Sequence, residues 1–464
     1  MRHTARGWWL QEAGDVEPRA ALDGDVSADV VVIGGGFTGL WAAWHLLQRA
    51  PGIAVALLDA GVCGEGPSGR NGGFVDHLAH AAPRLRELAG DDAARATIEA
   101  SIAAVDAIGN WCDEQRVDAW FTQRGQIIAS AAPAQDGAED EAIAACRALG
   151  LEDALSPMTA EAVRARCDAA PLRGGTLVPV TATVQPARLG RGLRKRLLGA
   201  GAAIYERSPV TGLRDGAGGV TVETAGGRVR AGAAILATGA WSAAVGPLRD
   251  RVTVTSSHIV LTEPVPDVLE QTGWTEGEAI TDGRRLVHYF RTTRDDRIVF
   301  GWGGGRIACG ARIGRREEID DAVVAQTAED LLRFFPQLRQ RRIEHAWGGP
   351  IDASPTHLPI VDTLPGGHTH AAFGYTGNGV GPSHLCGELL AAMALDARDP
   401  LTRLPLVAPP PVALPPEPLR VIGGFAIRRA LDAKERAEEH GRKPSPLATM
   451  VATVPERLGV HIGR

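Results

Sequence analysis

Asp29–Ile33 is a short β-branched run without polar alternation, and after Gly34–Gly35–Gly36–Phe37–Thr38–Gly39 the apolar positions switch to helical spacing. An unbroken apolar run of this length predicts a strand buried on both faces. Ala54–Leu58, ending at Asp59, and Ala233–Trp241, ending in the turn around Gly239, follow the same pattern. Residues 91–116 and 136–168 are alanine-rich with helical spacing, whereas Trp120 to Ser130 alternates like strands. A helix starts at Pro186, Ala202 to Glu206 reads as a strand, and Val220–Thr224 with Arg228–Arg230 forms a meander. From Val252 to about Trp347 the pattern turns antiparallel: 252–262, 286–290, 297–300 and 342–347, with one helix near 321–335. His370 to Ser383 gives strand, glycine loop and helix again. Seven prolines between Pro405 and Pro418 predict a stiff extended linker, followed by a charged helix over 425–440.

The turn after Ile33 is a G-x-G-x-x-G fingerprint in its proper setting. Gly34 permits the tight turn, Gly36 lets the backbone close on a pyrophosphate, and Gly39 lets the helix lie against the strand. The helix N-terminus, with Phe37 and Thr38, offers N–H groups to the anion. Asp59 follows twenty residues after Gly39, where an acid binds ribose hydroxyls and disfavours a 2′-phosphate. A dinucleotide site is therefore expected. The glycine-rich stretch Cys63–Phe74, with Arg70 at its centre, leaves no room for regular structure and fits a ligand-wrapping loop.

Composition narrows the partners. The chain has 464 residues, enough for two intertwined domains, and 44% of them are hydrophobic. A net charge of -6 argues against nucleic acid. Six scattered cysteines without a C-x-x-C pair indicate neither a disulfide framework nor a metal site. The first ten residues lack an apolar signal core and no run of about 18 apolar residues occurs, so a cytoplasmic protein without a membrane span is expected.

Four motifs in this order, Gly34–Gly39, Ser68–Gly73 (S-G-R-N-G-G), Ala237–Trp241 (A-T-G-A-W) and Gly374–Val380, resemble the flavoproteins related to D-amino-acid oxidase, glycine oxidase and sarcosine oxidase. Trp8–Leu10 and Gly441–Pro446 are similar to the branch of gamma-glutamylputrescine oxidase and aminophosphonate-oxidoreductase-like proteins. The resemblance implies an α/β chain: a Rossmann-like FAD-binding domain, parallel sheet plus β-meander, interleaved with an α+β substrate domain on an antiparallel sheet. The expected division is an N-terminal arm over 1–26, an FAD domain over 27–100, 182–250 and 352–398, a substrate domain over 101–181 and 251–351, and a Pro-rich linker and tail over 399–464.

It further implies FAD held by Gly34, Gly36, Phe37, Thr38, Gly39 and Asp59, with Val210 by the adenine. Ser68, Arg70, Asn71 and Gly72 would approach the pyrophosphate and isoalloxazine, together with Gly239 and Trp241, and Gly377, Asn378, Gly379 and Val380 would close the flavin site. Sarcosine oxidases of this group carry a flavin-bonding cysteine where this chain has Gly349, so noncovalent FAD is expected. Glycine oxidase carries a carboxylate-gripping arginine where this chain has Ile351, which disfavours a simple α-amino acid. The three lysines, Lys195, Lys434 and Lys443, lie outside the 250–350 sheet, leaving no counterpart for the oxygen-activating lysine of sarcosine oxidase.

The implied function is oxidation of an amine C–N bond to an imine that hydrolyses, with O2 reduced to H2O2. Two alternatives stand beside it: a dehydrogenase passing electrons to a quinone or protein, its tail a docking arm, and a flavin-binding protein without turnover. Tyr289 and Tyr375 are candidate pocket groups, with Phe290, Trp302 and Trp347 as further wall candidates; for each the alternative is core packing. Nine arginines face two acids between Arg284 and Arg316, either a solvated face or an anion-binding wall. Arg291 is the expected anchor for a distal anion on a small-molecule amine. His258 and His288 either face the flavin or serve structure.

Overall fold

The structure is a computed structural model describing residues 2–3, 6–309, 312–412, 414–457 and 459–462. One layer is a six-stranded sheet in the order 203–205, 55–58, 30–33, 233–236, 369–373, 360–363. The first five strands are parallel and the last is antiparallel. Val32 registers between Leu57 and Ile235. Both faces of the central strands are covered, which explains their unbroken apolar sequence. Val30 and Val32 pack against Leu40, Trp41 and Leu389 of the helices Phe37–Arg49 and Val380–Ala394. Val31 and Ile33 point the other way, toward Val220, Val222 and Val229 of the meander Val210–Gly216, Gly219–Thr224, Gly227–Ala231.

The second layer is a nine-stranded sheet, ordered 2–3, 343–353, 253–262, 298–302, 288–292, 279–282, 126–129, 175–178, 156–158. Strand Thr253–Thr262 pairs along its length with Ile343–Ala353, and His258 registers with both Gly348 and Trp302. Its outer face packs Val260, Phe290 and Phe300 onto the helix Asp321–Phe334, whose N-cap carboxylate, Asp320, accepts the Ala322 and Val323 N–H groups.

The stretch 120–130, expected to alternate like strands, holds the one strand Gln126–Ala129, because Trp120 at φ 54° and Gly125 at φ 80° interrupt an extended backbone. The expected helix over 136–168 is two helices, Asp140–Ala148 and Ala160–Arg166, separated by the strand Ser156–Met158. The C-terminal helix spans Leu419–Glu439 and lies on the molecule: Arg284, buried, is paired with Asp432, Glu435 and Glu439 of that helix.

Candidate active site

One continuous cavity of about 1220 Å³ runs from the glycine turn to the antiparallel sheet and the C-terminal segment. Single-ligand pockets are usually about 300–1,000 Å³, so this one has room for a dinucleotide with a small molecule beside it.

At the nucleotide end the three fingerprint glycines have separate tasks. Gly34 has φ 104°, and a Cβ there would lie 2.4 Å from the Ala237 carbonyl oxygen. Gly39 does not line the cavity; a Cβ on it would stand 1.9 Å from Gly34 O, so its absence lets helix and strand touch. Around Gly36 only the Ser68 hydroxyl is near, leaving the turn open to the cavity. That hydroxyl accepts the Phe37 N–H at 2.9 Å, tying the Ser68 loop to the helix start. The Asp59 carboxylate accepts N–H bonds from Gly35 and Gly61, each at 2.7 Å, and still borders the cavity.

The Ser68–Gly73 loop is stiffened from within. Asn71 Nδ2 donates to the carbonyls of Pro67 and Ser68, and its Oδ1 accepts the Gly73 N–H at 2.7 Å. Arg70 is buried, reaches Glu318 at 3.4 Å, and its carbonyl accepts Trp347 Nε1–H at 2.7 Å. Gly72 lies under Tyr289, whose ring edge would be 2.9 Å from a Cβ. Arg70, Asn71, Gly72, Thr38, Val210, Gly239, Trp241 and Gly377 to Val380 all border the cavity. The helix Val380–Ala394 begins at this wall with no acid in its first turn, so its N-terminal N–H groups present positive potential there. Glycine cradle, stiff loop and second helix N-terminus supply N–H donors and Asp59 an acceptor, a set that fits a pyrophosphate-containing flavin.

The antiparallel sheet turns Thr253, Thr255, Ser257 and Ile259 toward the cavity, together with Tyr289, Gly349 and Ile351. Ser257 gives its proton to the Trp302 carbonyl at 2.9 Å, so the 2.7 Å contact with Tyr289 is a phenol donating to Ser257 Oγ. Burial pushes the Tyr289 phenol up to about 12, and burial also raises Tyr375, 2.7 Å from Thr38 Oγ1, well above the usual phenol range. Both phenols stay protonated at neutral pH and border the cavity as hydrogen-bonding groups. Gly349 is open, with nothing within 4 Å of a Cβ.

Three expected site residues lie elsewhere. His258 and His288 alternate with Ser257 and Tyr289, and the two-residue period turns them to the outer face. His258 Nε2 accepts the Asp320 N–H at 3.0 Å, and burial lowers it to about 4. His288 is clasped by Asp282 at 2.6 Å and Asp330 at 3.1 Å; burial opposes its charge, but the two carboxylates outweigh burial and raise it. Arg291 shares the face of Tyr289 but lies beyond the cavity. Its guanidinium donates to Gly73 O and Val184 O and sits 5.5 Å from the centre of the Trp9 ring. It ties the Gly73 loop to the backbone at Val184 beside Trp9 and does not border the cavity. Phe290, Trp302 and Trp347 are core residues off the cavity surface.

Two features of the site were not placed there by the sequence. Asp352 borders the cavity with its carboxylate on the Gly374 N–H at 2.6 Å, and burial raises it to about 6. The C-terminal segment supplies a whole wall, including Gly423, Gly424, Ile427, Arg428 and Leu431. No lysine borders the cavity, and no described helix is long and apolar enough to cross a membrane.

Comparison with known proteins gives a consistent picture. The family profile described as DAO, FAD dependent oxidoreductase, matches residues 29–393. A probable oxidoreductase OrdL of Rhizobium meliloti is 29% identical over 384 residues, covering 81% of this chain and 84% of its own length. Gamma-glutamylputrescine oxidoreductase of Escherichia coli is 27% identical over 398 residues, covering 84% of this chain and 89% of its own. The fold is similar to glycine oxidase from Geobacillus kaustophilus, with a TM-score of 0.67, 20% identity, and coverage of 82% of this chain and 98% of that one. It is also similar to L-amino acid deaminase from Proteus vulgaris, with a TM-score of 0.68, 18% identity, and coverage of 87% and 99%.

Proposed function

The chain belongs to the DAO family of FAD dependent oxidoreductases, and from that premise we propose that it oxidises the C–N bond of a small amine, with noncovalent FAD and O2 as acceptor. The observation that carries this reading is the single cavity joining the glycine cradle to the Ser257–Tyr289 face. Bound FAD would supply hydride acceptance from the carbon beside nitrogen and return of two electrons and two protons to O2 as H2O2. The product side is an imine, which water splits into a carbonyl compound and ammonia or a smaller amine.

The chain's own contribution is positioning and dryness. Tyr289 and Tyr375, held neutral by burial, wall the reacting end, and Ser257 fixes Tyr289. Gly377 to Val380 bring N–H groups and a helix N-terminus to the place where negative charge must be stabilised. Gly349 offers no thiol for a covalent link. Ile351 leaves the position of a short-range carboxylate grip apolar, so a substrate whose anion is distant from nitrogen is favoured over glycine, sarcosine or D-alanine.

Two measurements test this. The purified yellow protein should release all of its FAD on acid precipitation; flavin left in the pellet would refute noncovalent binding. An amine added under argon should bleach the flavin, and admission of O2 should restore the colour with stoichiometric H2O2. Failure of an amine panel to bleach would defeat amine oxidation, and colour returning only with a quinone would replace O2 as acceptor.

A further inference from the structure

The C-terminal segment lies outside the stretch that the family profile matches, which ends at residue 393, yet it closes the cavity. On the helix Leu419–Glu439, Gly423, Gly424, Ile427 and Leu431 recur at one-turn spacing and border the cavity with Arg428. The close approach is built in: a Cβ on Gly424 would stand 2.6 Å from Ile307 Cδ1.

The charges on this wall are unequal in their commitments. Arg285 is paired with Glu456, Arg420 with Asp250, and Arg70 with Glu318. Arg428 has no carboxylate partner among the described residues. The two acids nearest in its field are engaged: Asp432 with Arg284 and Arg436, Asp320 with Arg306. One edge of its guanidinium is pinned, with Nε donating to Gly304 O at 2.7 Å and Nη2 to the same oxygen, and its plane sits 5.7 Å from the centre of Trp302. A planar cation fixed along one edge and held near an indole loses little freedom when its other edge binds an oxyanion.

Its place along the sheet supplies the length. Gly72 on the flavin-side loop underlies Tyr289, and Tyr289 occupies the space over Gly301, where a Cβ would meet the ring at 2.1 Å. Trp302 follows, then Gly303 and Gly305 on the cavity surface and Gly304 under Arg428. Arg428 therefore meets the chain at Gly304, three residues beyond Gly301, where the Tyr289 ring sits.

We propose that Arg428 anchors an oxyanion at the end of the substrate remote from the oxidised nitrogen, so that the C-terminal helix sets substrate class while the family-wide part of the chain sets the chemistry. The substrate is then an amine carrying a carboxylate or phosphonate several bonds from nitrogen. The assignment rests on the amine reading for the nitrogen end alone; the anion site is read independently of turnover.

The test uses the full-length holoenzyme. Butyrate and propylphosphonate, which carry an oxyanion and no amine, are titrated while the absorbance of bound flavin is followed, with wild type, Arg428→Gln, Arg428→Lys and the exposed neighbour variant Arg429→Gln. At least one ligand should perturb the wild-type spectrum saturably, and the tighter of the two identifies the headgroup. Arg428→Gln should weaken that binding roughly 10- to 100-fold, Arg428→Lys should recover part of it, and Arg429→Gln should match wild type. With an ω-anionic amine, Arg428→Gln should raise KM by a similar factor and change kcat far less. Equal affinity in wild type and Arg428→Gln, or no anion effect on wild type, overturns the proposal. Anion binding that depends on Arg428, in a protein that bleaches with no amine, would instead sink the amine reading and leave the anion site standing.

Discussion

The two faces of the nine-stranded sheet are built from the same strands and do opposite work. Facing the cavity, Thr253, Thr255, Ser257, Tyr289, Gly349 and Ile351 present hydroxyls, an open glycine and little charge. Facing outward, His258, His288, Phe290 and Phe300 are sealed under the helix Asp321–Phe334, and the ionisable groups are matched with carboxylates or N–H donors. The difference teaches that an ionisable residue on a strand beside a cavity is as readily a fastening as a reagent. One residue of register decides which.

The largest break in this comparison comes from His288. His288→Ala leaves Asp282 and Asp330 buried without their directly bonded cation, with the Arg284 charge nearby, and urea unfolding should show a loss of about 3–5 kcal/mol, while any FAD retained in buffer has an unchanged spectrum. A variant as stable as wild type would show that the outer-face clasp carries nothing. Gly301→Ala works at the opposite face, where the new Cβ meets the Tyr289 ring; a loss of about 1–3 kcal/mol should accompany displacement of Tyr289, read as weakened ligand perturbation of the flavin spectrum.

Asp352 allows a pH test of the cavity face. Its pKa in the folded chain, about 6, exceeds the ordinary value of 3.8, so the folded state holds the extra proton between them. Its contribution is fully present below about pH 4 and is lost as pH rises through 6. Between pH 4 and 7 wild type should lose up to about 3 kcal/mol that Asp352→Asn retains, measured as the difference between their urea midpoints. Parallel curves would place Asp352 in water. The smallest effect is expected at Gly349, where open space surrounds the Cβ position: Gly349→Ala should shift stability by no more than about 0.5 kcal/mol, and a larger loss would mean the inner face is packed.

The glycine cradle was legible because its local demands are strict. Gly34 needs a positive φ and Gly39 needs no side chain, and neither depends on what the rest of the chain does. The unbroken apolar strands were readable because burial on both faces leaves a one-dimensional trace, and the meander because one buried face leaves an alternating one. His258 and His288 were harder. Counting by twos from Tyr289 puts His288 outside, but the pattern alone does not say which face is the cavity. Arg291 shares the parity of Tyr289 and still misses, because Trp9 and the carbonyls of Gly73 and Val184 fill its surroundings, and all three lie more than a hundred residues earlier in the chain. The tail was read as a linker and arm from its prolines and charges. Its glycine and apolar positions at 423, 424, 427 and 431 were the available sign of a packed face.

The order of strands in the six-stranded sheet has a consequence for synthesis. Strand Ala233–Leu236 takes its second neighbour from Thr369–Phe373, more than a hundred residues later on the ribosome. Until that stretch emerges, the nascent nucleotide sheet ends in an apolar strand with one row of unpaired backbone groups, a template for a wrong partner. Chains halted or clipped before Thr369 should therefore aggregate rather than persist as a small dinucleotide-binding fragment, which makes this flavoprotein an all-or-nothing product of translation.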